Sequence, residues 1–342
     1  MSFYDQLGAD GEIVVTSRVR LARNFAEFPF PGHMTEAEEQ RVLDFARNAL
    51  DQYDYLPVNT MPPMKASALV ERHLISRELL SATGPRGVLL SKNESISIMV
   101  GEEDHIRIQA LCAGFAPGSA LKRAVEADRI LEQAAPYAFD RKLGYLTKCP
   151  TNLGTGLRAG VMMHLPLLTE QGAIRDLMAS LNKLGFIIRG LYGEGTAAQG
   201  DLYQVSNQVT LGIAEEEIVS RLEQVVGSIL NKEEELRRQY QKMYPTRLLD
   251  RCQRAAGLLA TARILTQPEA MKLCSHVRLG LSCGCLKGIS MAEMNRLLFE
   301  MQPGCLVSQG GENRTYLNLD QMRADMARQI AQKAVLPLIE SQ

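Results

Sequence analysis

The stretch SISIMVGEEDHIRIQ, residues 95–109, carries the pattern that decides the fold. Alternate positions on both sides of its charged run are apolar, which predicts strands with one buried face: Ile96, Ile98, Val100, Ile106 and Ile108. The same alternation predicts that Glu103, His105 and Arg107 lie together on the opposite face. Charged side chains are rarely buried without partners, so this face is either a ladder of ion pairs or a functional site.

The composition is that of an ordinary globular protein with about two domains. The chain has 342 residues, of which 46% are hydrophobic and 23% are charged. Its formal net charge of −1 argues against bulk affinity for nucleic acid or for an anionic membrane. No secretory signal or membrane span is visible, and seven irregularly spaced cysteines fit reduced thiols. We therefore expect a cytoplasmic protein with no direct nucleic-acid or membrane partner.

Strand patterns fill the first part of the chain. Residues 13–21, IVVTSRVRL, alternate in a way that places Arg18 and Arg20 on the same face. Residues 87–91 and 95–100 are predicted as two strands joined by a turn at residues 92–94. These strands predict an antiparallel sheet.

Capping residues and prolines predict where helices start. Thr35 and Glu38 form a capping box, and Ser119 is predicted to cap another helix. The segment 57–65 contains three prolines and is predicted as a connector, with a short helix to follow over residues 71–80.

The pattern changes to long amphipathic helices from Glu215 onward. We therefore place a domain boundary between residues 230 and 231. The predicted fold class is α+β: residues 1–230 form an antiparallel sheet flanked by helices, and residues 231–342 form an all-helical C-terminal domain.

Several residues are unusual for the positions at which they stand. Gly154 and Gly156 allow the backbone to approach a ligand closely, and Glu194 is a lone acid in a run of small residues. The common nucleotide-binding motifs are absent, and the spacing of Cys283 and Cys285 does not fit zinc, so we expect no metal site in the protein. Guanidinium forks suit phosphate oxygens, and five arginines lie on predicted strands or glycine-rich turns: Arg18, Arg20, Arg107, Arg158 and Arg189.

Four motifs, in the same order, resemble the catalytic domain of the phosphagen (guanidino) kinases. They are TSRVRLAR at 16–23, GEEDHIRI at 101–108, CPTNLGTGLRA at 149–159 and RGLYGE at 189–194. The whole chain resembles more closely still the bacterial protein-arginine kinase family, in which that catalytic domain is followed by a helical C-terminal domain.

The resemblance implies an ATP-dependent kinase whose phosphoryl acceptor is a guanidino nitrogen. It implies that the five arginines bind the ATP phosphates and that Mg²⁺ arrives with the nucleotide rather than in a protein cage. It makes Glu103 the carboxylate that aligns and deprotonates the substrate guanidinium. Glu194 is then a second carboxylate on a closing loop, and Cys149 is a thiolate beside the reactive nitrogen.

Physical chemistry is consistent with these implied roles. A guanidinium has a pKa of about 12.5 to 13.8, so its attack on phosphorus requires a positioned acceptor for the proton. The phosphoryl group in transfer carries spread negative charge, so alignment and the field of the arginines and Mg²⁺ supply most of the acceleration.

The expected substrate is arginine within proteins. The chain begins close to its first arginine-bearing strand, without the N-terminal helical domain that encloses small substrates in phosphagen kinases, so we expect an open site. The resemblance also implies substrate docking and homodimer formation by the C-terminal helices. It further implies that the modification marks proteins, including a heat-shock repressor, for a Clp-type chaperone and protease, assisted by an activating adaptor. The alternatives are a kinase of free arginine or another small guanidino compound and an inactive adaptor that binds phosphoarginine.

The chain departs from the family patterns at three places. Gly101 replaces the usual asparagine before the glutamate pair, and the histidines that contact adenine in phosphagen kinases align with Leu90 and Met162, so we expect an apolar base pocket. The protein-arginine kinases carry a phosphoarginine pocket near the chain end, which here implicates Asp320 and Arg323. Its first arginine is replaced by Leu319.

Overall fold

An antiparallel sheet forms the centre of the protein, as a computed structural model covering residues 2–190, 198–310 and 316–334 shows. Within these ranges the eight strands of the sheet follow the order β2-β3-β4-β5-β1-β8-β10-β9, and β6 and β7 form a separate hairpin. The strands are β1 (Val14–Arg23), β2 (Asp54–Pro57), β3 (Gly87–Leu90), β4 (Ile96–Val100), β5 (Ile106–Ala113), β6 (Phe139–Asp140), β7 (Gly144–Tyr145), β8 (Leu157–His164), β9 (Phe186–Gly190) and β10 (Leu202–Asn207).

Helices cover both faces of this sheet and form most of the described chain after residue 214. No described helix is long and apolar enough to cross a membrane. The helices are α1 (Glu36–Ala49), α2 (Pro63–Glu71), α3 (Arg77–Ser81), α4 (Pro117–Ala134), α5 (Pro166–Glu170), α6 (Ile174–Lys183), α7 (Glu215–Met243), α8 (Pro245–Thr261), α9 (Gln267–Ser282), α10 (Met291–Glu300), α11 (Pro303–Gly310) and α12 (Tyr316–Ala331). The predicted α+β class, with helices flanking an antiparallel sheet and following it, is confirmed.

One face of the sheet is apolar along its central strands. Alternate residues of β1, β4, β5 and β8 point to this face, where α1, α4 and α7 cover them. Burial of this face fixes the orientation of every strand, because a shift by one residue would expose the whole apolar set. The intervening residues of the same strands therefore point to the opposite face of the sheet, here called the second face.

The second face packs partly against the C-terminal helices. Met99, Leu111 and Met162 from three strands share a core with Met271 and Cys274 of α9. The proposed boundary at residues 230 and 231 lies inside α7, which is continuous from Glu215 to Met243. The sheet and the C-terminal helices are thus joined by a continuous helix and by a shared core.

The prediction of a continuous strand through the charged run is wrong. Gly101 has a φ of +77°, and residues 101–105 form a turn between β4 and β5. Glu103 therefore lies in the turn, whereas His105 packs against Phe25 and does not share a face with Arg107. A left-handed glycine reverses the chain where alternation alone predicts that it continues.

Helix starts follow the capping signals in part. The capping box of Thr35 and Glu38 is confirmed at the start of α1. The predicted helix over residues 71–80 is wrong, since α2 ends at Glu71 and Ser76 caps the separate α3. Ser119 lies inside α4, which begins at Pro117 because proline suits the first helical turn.

A buried ion pair ties β1 to the helices on the apolar face. Arg23 donates from Nε and Nη2 to Asp128 Oδ2 of α4, at 3.1 and 2.9 Å, and from Nη1 to the Thr155 carbonyl at 2.8 Å. Its guanidinium also lies 3.6 Å from the ring centroid of Tyr145 and 3.3 Å from Glu215 Oε1. The Arg23 side chain is 1% exposed, so its charge depends on these partners.

We predict that Asp128→Ala lowers the free energy of unfolding by about 3–5 kcal/mol, because it leaves a buried charge without its main partner. Urea denaturation measures this change. Glu215→Ala is the matched control and should cost less, since Glu215 is 22% exposed and its Oε1 lies 3.3 Å from Arg23 Nη2, farther than Asp128 Oδ2. The double variant Arg23→Met, Asp128→Leu should recover much of the loss. Equal costs for the two single variants would contradict the assignment of Asp128 as the main partner.

Candidate functional site

A cavity on the second face of the sheet, here called the arginine cavity, collects most of the predicted site residues. Its volume is about 560 Å³, and it is lined by Arg20, Arg107, Arg158 and Arg189 together with Glu102 and Glu103. The strands β5, β1 and β8 are adjacent, and their register places Arg20 opposite Arg158 and Ala22 opposite Arg107. Arg18 lies two residues from Arg20 on the same face of β1.

The arginines repel one another in the absence of an anion. Burial and the charges of Arg107 and Arg158 lower the pKa of Arg18 to about 10. Burial and three neighbouring arginines hold the pKa of Arg20 well below its ordinary value, and the pKa of Arg158 is lowered in the same way. Five basic and three acidic side chains line the cavity in the described part of the chain. This excess of positive charge fits a polyphosphate anion.

Two adjacent carboxylates, one buried and one partly exposed, form ion pairs with Arg107. The Glu102 side chain is fully buried, with Oε1 2.7 Å from Arg107 Nη1, and also accepts a hydrogen bond from the Ser76 hydroxyl. Glu103 Oε2 lies 3.2 Å from Arg107 Nη2, and its side chain is 36% exposed. Glu102 therefore orients the arginine, whereas Glu103 can also contact a molecule in the cavity.

The sequence does not decide whether Glu102, Asp104 and His105 belong to the functional site or support the structure around it. Asp104 Oδ1 accepts hydrogen bonds from Asn24 Nδ2 at 2.7 Å and from the Lys148 amide at 2.8 Å. Asp104 thus joins the turn that carries Glu103 to the segment that carries Cys149. Only the tertiary contact shows this link, because Asn24, Asp104 and Lys148 are far apart in sequence.

His105 fixes the other side of the same turn. Its Nδ1 accepts from the Phe25 amide at 3.1 Å, so the proton lies on Nε2, which donates to the Pro29 carbonyl at 2.8 Å. Burial lowers the pKa of His105, so the ring is neutral at pH 7. His105 is a structural residue that faces away from the arginine cavity.

Cys149 lies at the edge of the arginine cavity, directly before the 3₁₀ turn Pro150–Asn152. Its Sγ is 3.1 Å from Thr151 Oγ1, and the neighbouring Lys148, Thr151 and Asn152 line the cavity. The charge of a Cys149 thiolate would raise the pKa of Arg158. Glu194 lies outside the described residues.

Two glycines of the 149–159 segment allow other backbone segments to pack closely against it. Gly154 has a φ of +108°, and a Cβ there would lie 2.3 Å from the Thr210 carbonyl oxygen. A Cβ at Gly156 would lie 2.6 Å from the Ala22 carbonyl oxygen. Both glycines thus make room for neighbouring chain segments, and Gly156 also borders the arginine cavity, so the close approach of a ligand to this backbone stays a prediction.

Asp320 and Arg323 lie together in α12, among the C-terminal helices. Arg323 is 2% exposed and donates to the carbonyls of Met301 and Leu265, at 3.0 and 2.7 Å, and to Asp320 Oδ1 at 2.5 Å. These bonds hold α12 to the preceding helices. In the described ranges no group of three or more histidine, cysteine, aspartate or glutamate side chains is arranged to hold a metal ion.

We predict that Arg20→Gln raises the melting temperature of the ligand-free protein by about 2 °C or more, because a charge that folding disfavours is removed. Inorganic tripolyphosphate should raise the melting temperature of the unmodified protein and do so far less in the variant. Differential scanning fluorimetry measures both effects. Arg221→Gln, an exposed site on α7, is the control and should change neither. A full tripolyphosphate shift in Arg20→Gln would contradict this account of the cavity.

Comparison with known proteins identifies the family. The family described as ATP:guanido phosphotransferase, C-terminal catalytic domain, matches residues 35–236. The family described as protein-arginine kinase McsB C-terminal domain matches residues 245–340. The chain is 43% identical over 331 residues to the protein-arginine kinase of Symbiobacterium thermophilum, covering 94% of each chain. It is also 43% identical over 318 residues to that of Geobacillus sp. (strain WCH70), covering 91% of this chain and 88% of the relative.

Solved structures agree with this result. Lombricine kinase superposes with a TM-score of 0.59 at 27% identity, over 68% of this chain and 70% of its own. The duplicated taurocyamine kinase from Schistosoma mansoni superposes with a TM-score of 0.61 at 24% identity, over 90% of this chain and 41% of its own, and shows the fold alone. Since the family matches cover most of the sheet and the C-terminal helices, and the curated relatives cover more than nine tenths of the chain, this chain belongs to the protein-arginine kinase family, whose catalytic part is an ATP:guanido phosphotransferase domain.

Proposed function

We propose that this protein transfers the γ-phosphoryl group of ATP to the guanidino nitrogen of arginine side chains in proteins. The observation that carries the proposal is that one cavity presents both four arginine side chains and a partly exposed carboxylate, Glu103. The arginines suit the phosphate donor, and the carboxylate suits a cationic acceptor. The same cavity therefore has positive groups that complement the phosphates of ATP and a negative group that complements the guanidinium of the acceptor.

The arginines would bind and orient the polyphosphate. Arg20, Arg107 and Arg158 lie on three adjacent strands, so their positions relative to one another are fixed by the sheet. The lowered pKa values of Arg20 and Arg158 mark positive charge that an anion would stabilise. Mg²⁺ bound to the phosphates would neutralise further charge during transfer. Cys149 and Glu194 are proposed as additional groups beside the acceptor.

Glu103 would receive the proton that leaves the acceptor. A bond forms between the guanidino nitrogen and the γ-phosphorus while the bond from the γ-phosphorus to the β,γ-bridging oxygen breaks, so that ADP departs. The proton released from the nitrogen passes to the Glu103 carboxylate. Glu102 cannot take this place, because its buried carboxylate is occupied by Arg107 and Ser76.

Family membership supports protein arginine over free arginine, and so does the exposure of Glu103 at the cavity. The test is incubation with ATP and Mg²⁺ and either an unfolded arginine-rich protein or free arginine. Acid-labile phosphate on the protein supports the proposal. Phosphate on free arginine alone identifies a small-guanidino kinase, and no transfer to either identifies an adaptor that binds phosphoarginine; both results would overturn the proposal.

We also propose roles that rest on family resemblance alone. The C-terminal helices would dock substrate proteins and form a homodimer, with the functional division near residues 230 and 231. Asp320 and Arg323 would contribute to a phosphoarginine pocket. The modified proteins, a heat-shock repressor among them, would pass to a Clp-type chaperone and protease in the cytoplasm, and an activating adaptor would stimulate the kinase.

We predict that Glu103→Gln lowers the transfer rate by about 100-fold or more, because the proton acceptor is lost, whereas ATP affinity changes little. Phosphorus NMR or phosphoproteomics measures phosphoarginine, and calorimetry measures ATP binding. Glu132→Gln, an exposed position on α4, is the matched control and should behave as the unmodified protein does. Transfer at the normal rate in Glu103→Gln would remove Glu103 from its proposed role.

A further inference from the structure

The hairpin of β6 and β7 lies next to the segment that borders the arginine cavity. Its two strands pair with each other and form a sheet separate from the eight-stranded one. The strand β7 is followed closely by Lys148, which lines the arginine cavity. Leu143, in the turn of the hairpin, is five positions before Lys148. The turn is therefore at most about 18 Å from the cavity wall, measured between Cα atoms.

Hydrogen bonds tie the base of the hairpin to the turn that carries Glu103. The Leu146 amide donates to the Ala138 carbonyl at 2.9 Å, and the Ala138 amide donates to the Asn24 carbonyl at 2.7 Å. The side chain of Asn24 in turn donates to Asp104 Oδ1 at 2.7 Å. The hairpin and the proposed proton acceptor are thus held in a fixed relation to each other.

The hairpin exposes large apolar side chains. Phe139 is 57% exposed and Leu143 is 43% exposed. The Phe139 ring meets the Tyr145 ring edge-on, with the centroids 5.2 Å apart, so its orientation is fixed on one side. A further exposed apolar side chain, Leu211 at 47%, lies in the segment after β10. Exposed apolar side chains that stand together beside polar ones are typical of protein interaction sites.

Gly154 packs between the hairpin and the segment that carries Leu211. A Cβ at Gly144 would lie 2.5 Å from the Gly154 carbonyl oxygen, and a Cβ at Gly154 would lie 2.7 Å from Leu211 Cα. The Tyr145 amide also donates to the Gly154 carbonyl at 2.7 Å. The three segments are therefore in backbone contact, and the exposed apolar side chains stand on adjoining parts of the surface.

The charge around the hairpin is positive, although the formal net charge of the chain is −1. Residues 137–154 include one acidic side chain, Asp140, and three basic ones, Arg141, Lys142 and Lys148. The three basic side chains are exposed, and within the described ranges none of them forms an ion pair or a side-chain hydrogen bond. Asp140 Oδ1 accepts from the amides of Lys142 and Leu143 at 2.8 and 2.9 Å, so it stabilises the turn. The surface therefore complements an acidic partner.

An arginine that enters the cavity as part of a protein brings the flanking polypeptide with it. An extended chain advances about 3.3–3.6 Å per residue, so about five residues span the distance from the cavity wall to the turn of the hairpin. The hairpin is thus placed where residues close to the acceptor arginine would lie. Extended segments of unfolded proteins present the apolar side chains that such a surface can bind.

We propose that this surface, here called the hairpin surface, binds the polypeptide that flanks the acceptor arginine. The hairpin surface consists of exposed apolar and basic side chains: Phe139, Arg141, Lys142, Leu143 and Leu211. Its partner is an extended protein segment with apolar and acidic side chains within about five residues of the arginine. The inference rests on the proposed function, because it takes the acceptor to be an arginine in a protein. The hairpin surface then selects among exposed arginines by their neighbours in sequence.

The apolar and the basic side chains contribute in different ways. Phe139 and Leu143 bury apolar area against the bound segment and so determine its affinity. Arg141 and Lys142 stay near solvent, so they favour acidic over basic neighbours, and salt screens their effect. Affinity and charge preference can therefore be changed separately.

The test measures peptide binding by fluorescence anisotropy, with Mg²⁺ and a non-hydrolysable ATP analogue bound to the full chain. Three labelled peptides of about ten residues each carry one arginine, flanked by glycine alone, by leucine with glutamate, or by leucine with lysine. We expect the peptide with leucine and glutamate to bind about tenfold more tightly than the glycine peptide. The peptide with lysine should bind more weakly than the peptide with glutamate.

Phe139→Ser should raise the Kd of the leucine–glutamate peptide by about fivefold and leave the Kd of the glycine peptide within about twofold. Leu143→Ser should act in the same direction and is a second, independent variant. Leu7→Ser is the matched control, since Leu7 is 50% exposed and precedes Gly8, where a Cβ would lie 2.0 Å from the Ala113 carbonyl oxygen. Ala113 ends β5, whereas Arg107 stands at its start. Thermal unfolding verifies that each variant is folded.

The double variant Arg141→Glu, Lys142→Glu tests the charge preference. It should reverse the preference, so that the peptide with lysine binds more tightly than the peptide with glutamate. In the unmodified protein, the difference between these two peptides should shrink as the salt concentration rises.

Equal affinity of the unmodified protein for all three peptides, or unchanged affinities in all the hairpin variants, would overturn the inference. A changed molecular mass of Phe139→Ser in light scattering, with unchanged peptide affinity, would identify a contact between two copies of the chain and would overturn it as well. Because anisotropy measures binding without transfer, a failure to phosphorylate arginine would count against the proposed function alone.

Discussion

The two-residue period of a β-strand is the constraint on which the rest of the protein depends. In β1, β5 and β8 one set of alternate residues is buried under α1, α4 and α7, and the other set is forced onto the opposite face. Arg18 and Arg20 belong to that second set and meet Arg107 and Arg158 from the adjacent strands. The free energy of burying one face thereby holds like charges together on the other face, where their mutual repulsion destabilises the protein and favours the binding of a polyphosphate.

Local signals predicted much of the fold. The alternation in β1, the hairpin of β3 and β4 and the capping box of α1 depend on neighbouring residues, and the structure contains all three. The predicted elements differ from the structure where a glycine turns the backbone or where a second helix-start signal outweighs the first. Gly101 reverses the chain with a positive φ inside an apparently regular strand, and Pro117 begins α4 two residues before the serine that was expected to cap it.

The site was predictable where one sheet face determines it and unpredictable where distant segments meet. Strand parity and the family motifs suffice to group Arg20, Arg107 and Arg158. The deep position of Glu102 depends on Ser76, and the link from Asp104 to Lys148 joins segments more than forty residues apart. No local pattern encodes such contacts.

The central claim is that a nucleotide and an arginine side chain meet in the arginine cavity, with Glu103 at the acceptor. A crystal structure of the protein with Mg²⁺, a non-hydrolysable ATP analogue and a short arginine-containing peptide tests this most directly. We predict phosphate oxygens within hydrogen-bond distance of Arg20, Arg107 and Arg158 and the peptide guanidinium within hydrogen-bond distance of Glu103. A peptide guanidinium bound away from Glu103, or phosphates bound away from these arginines, would contradict the account.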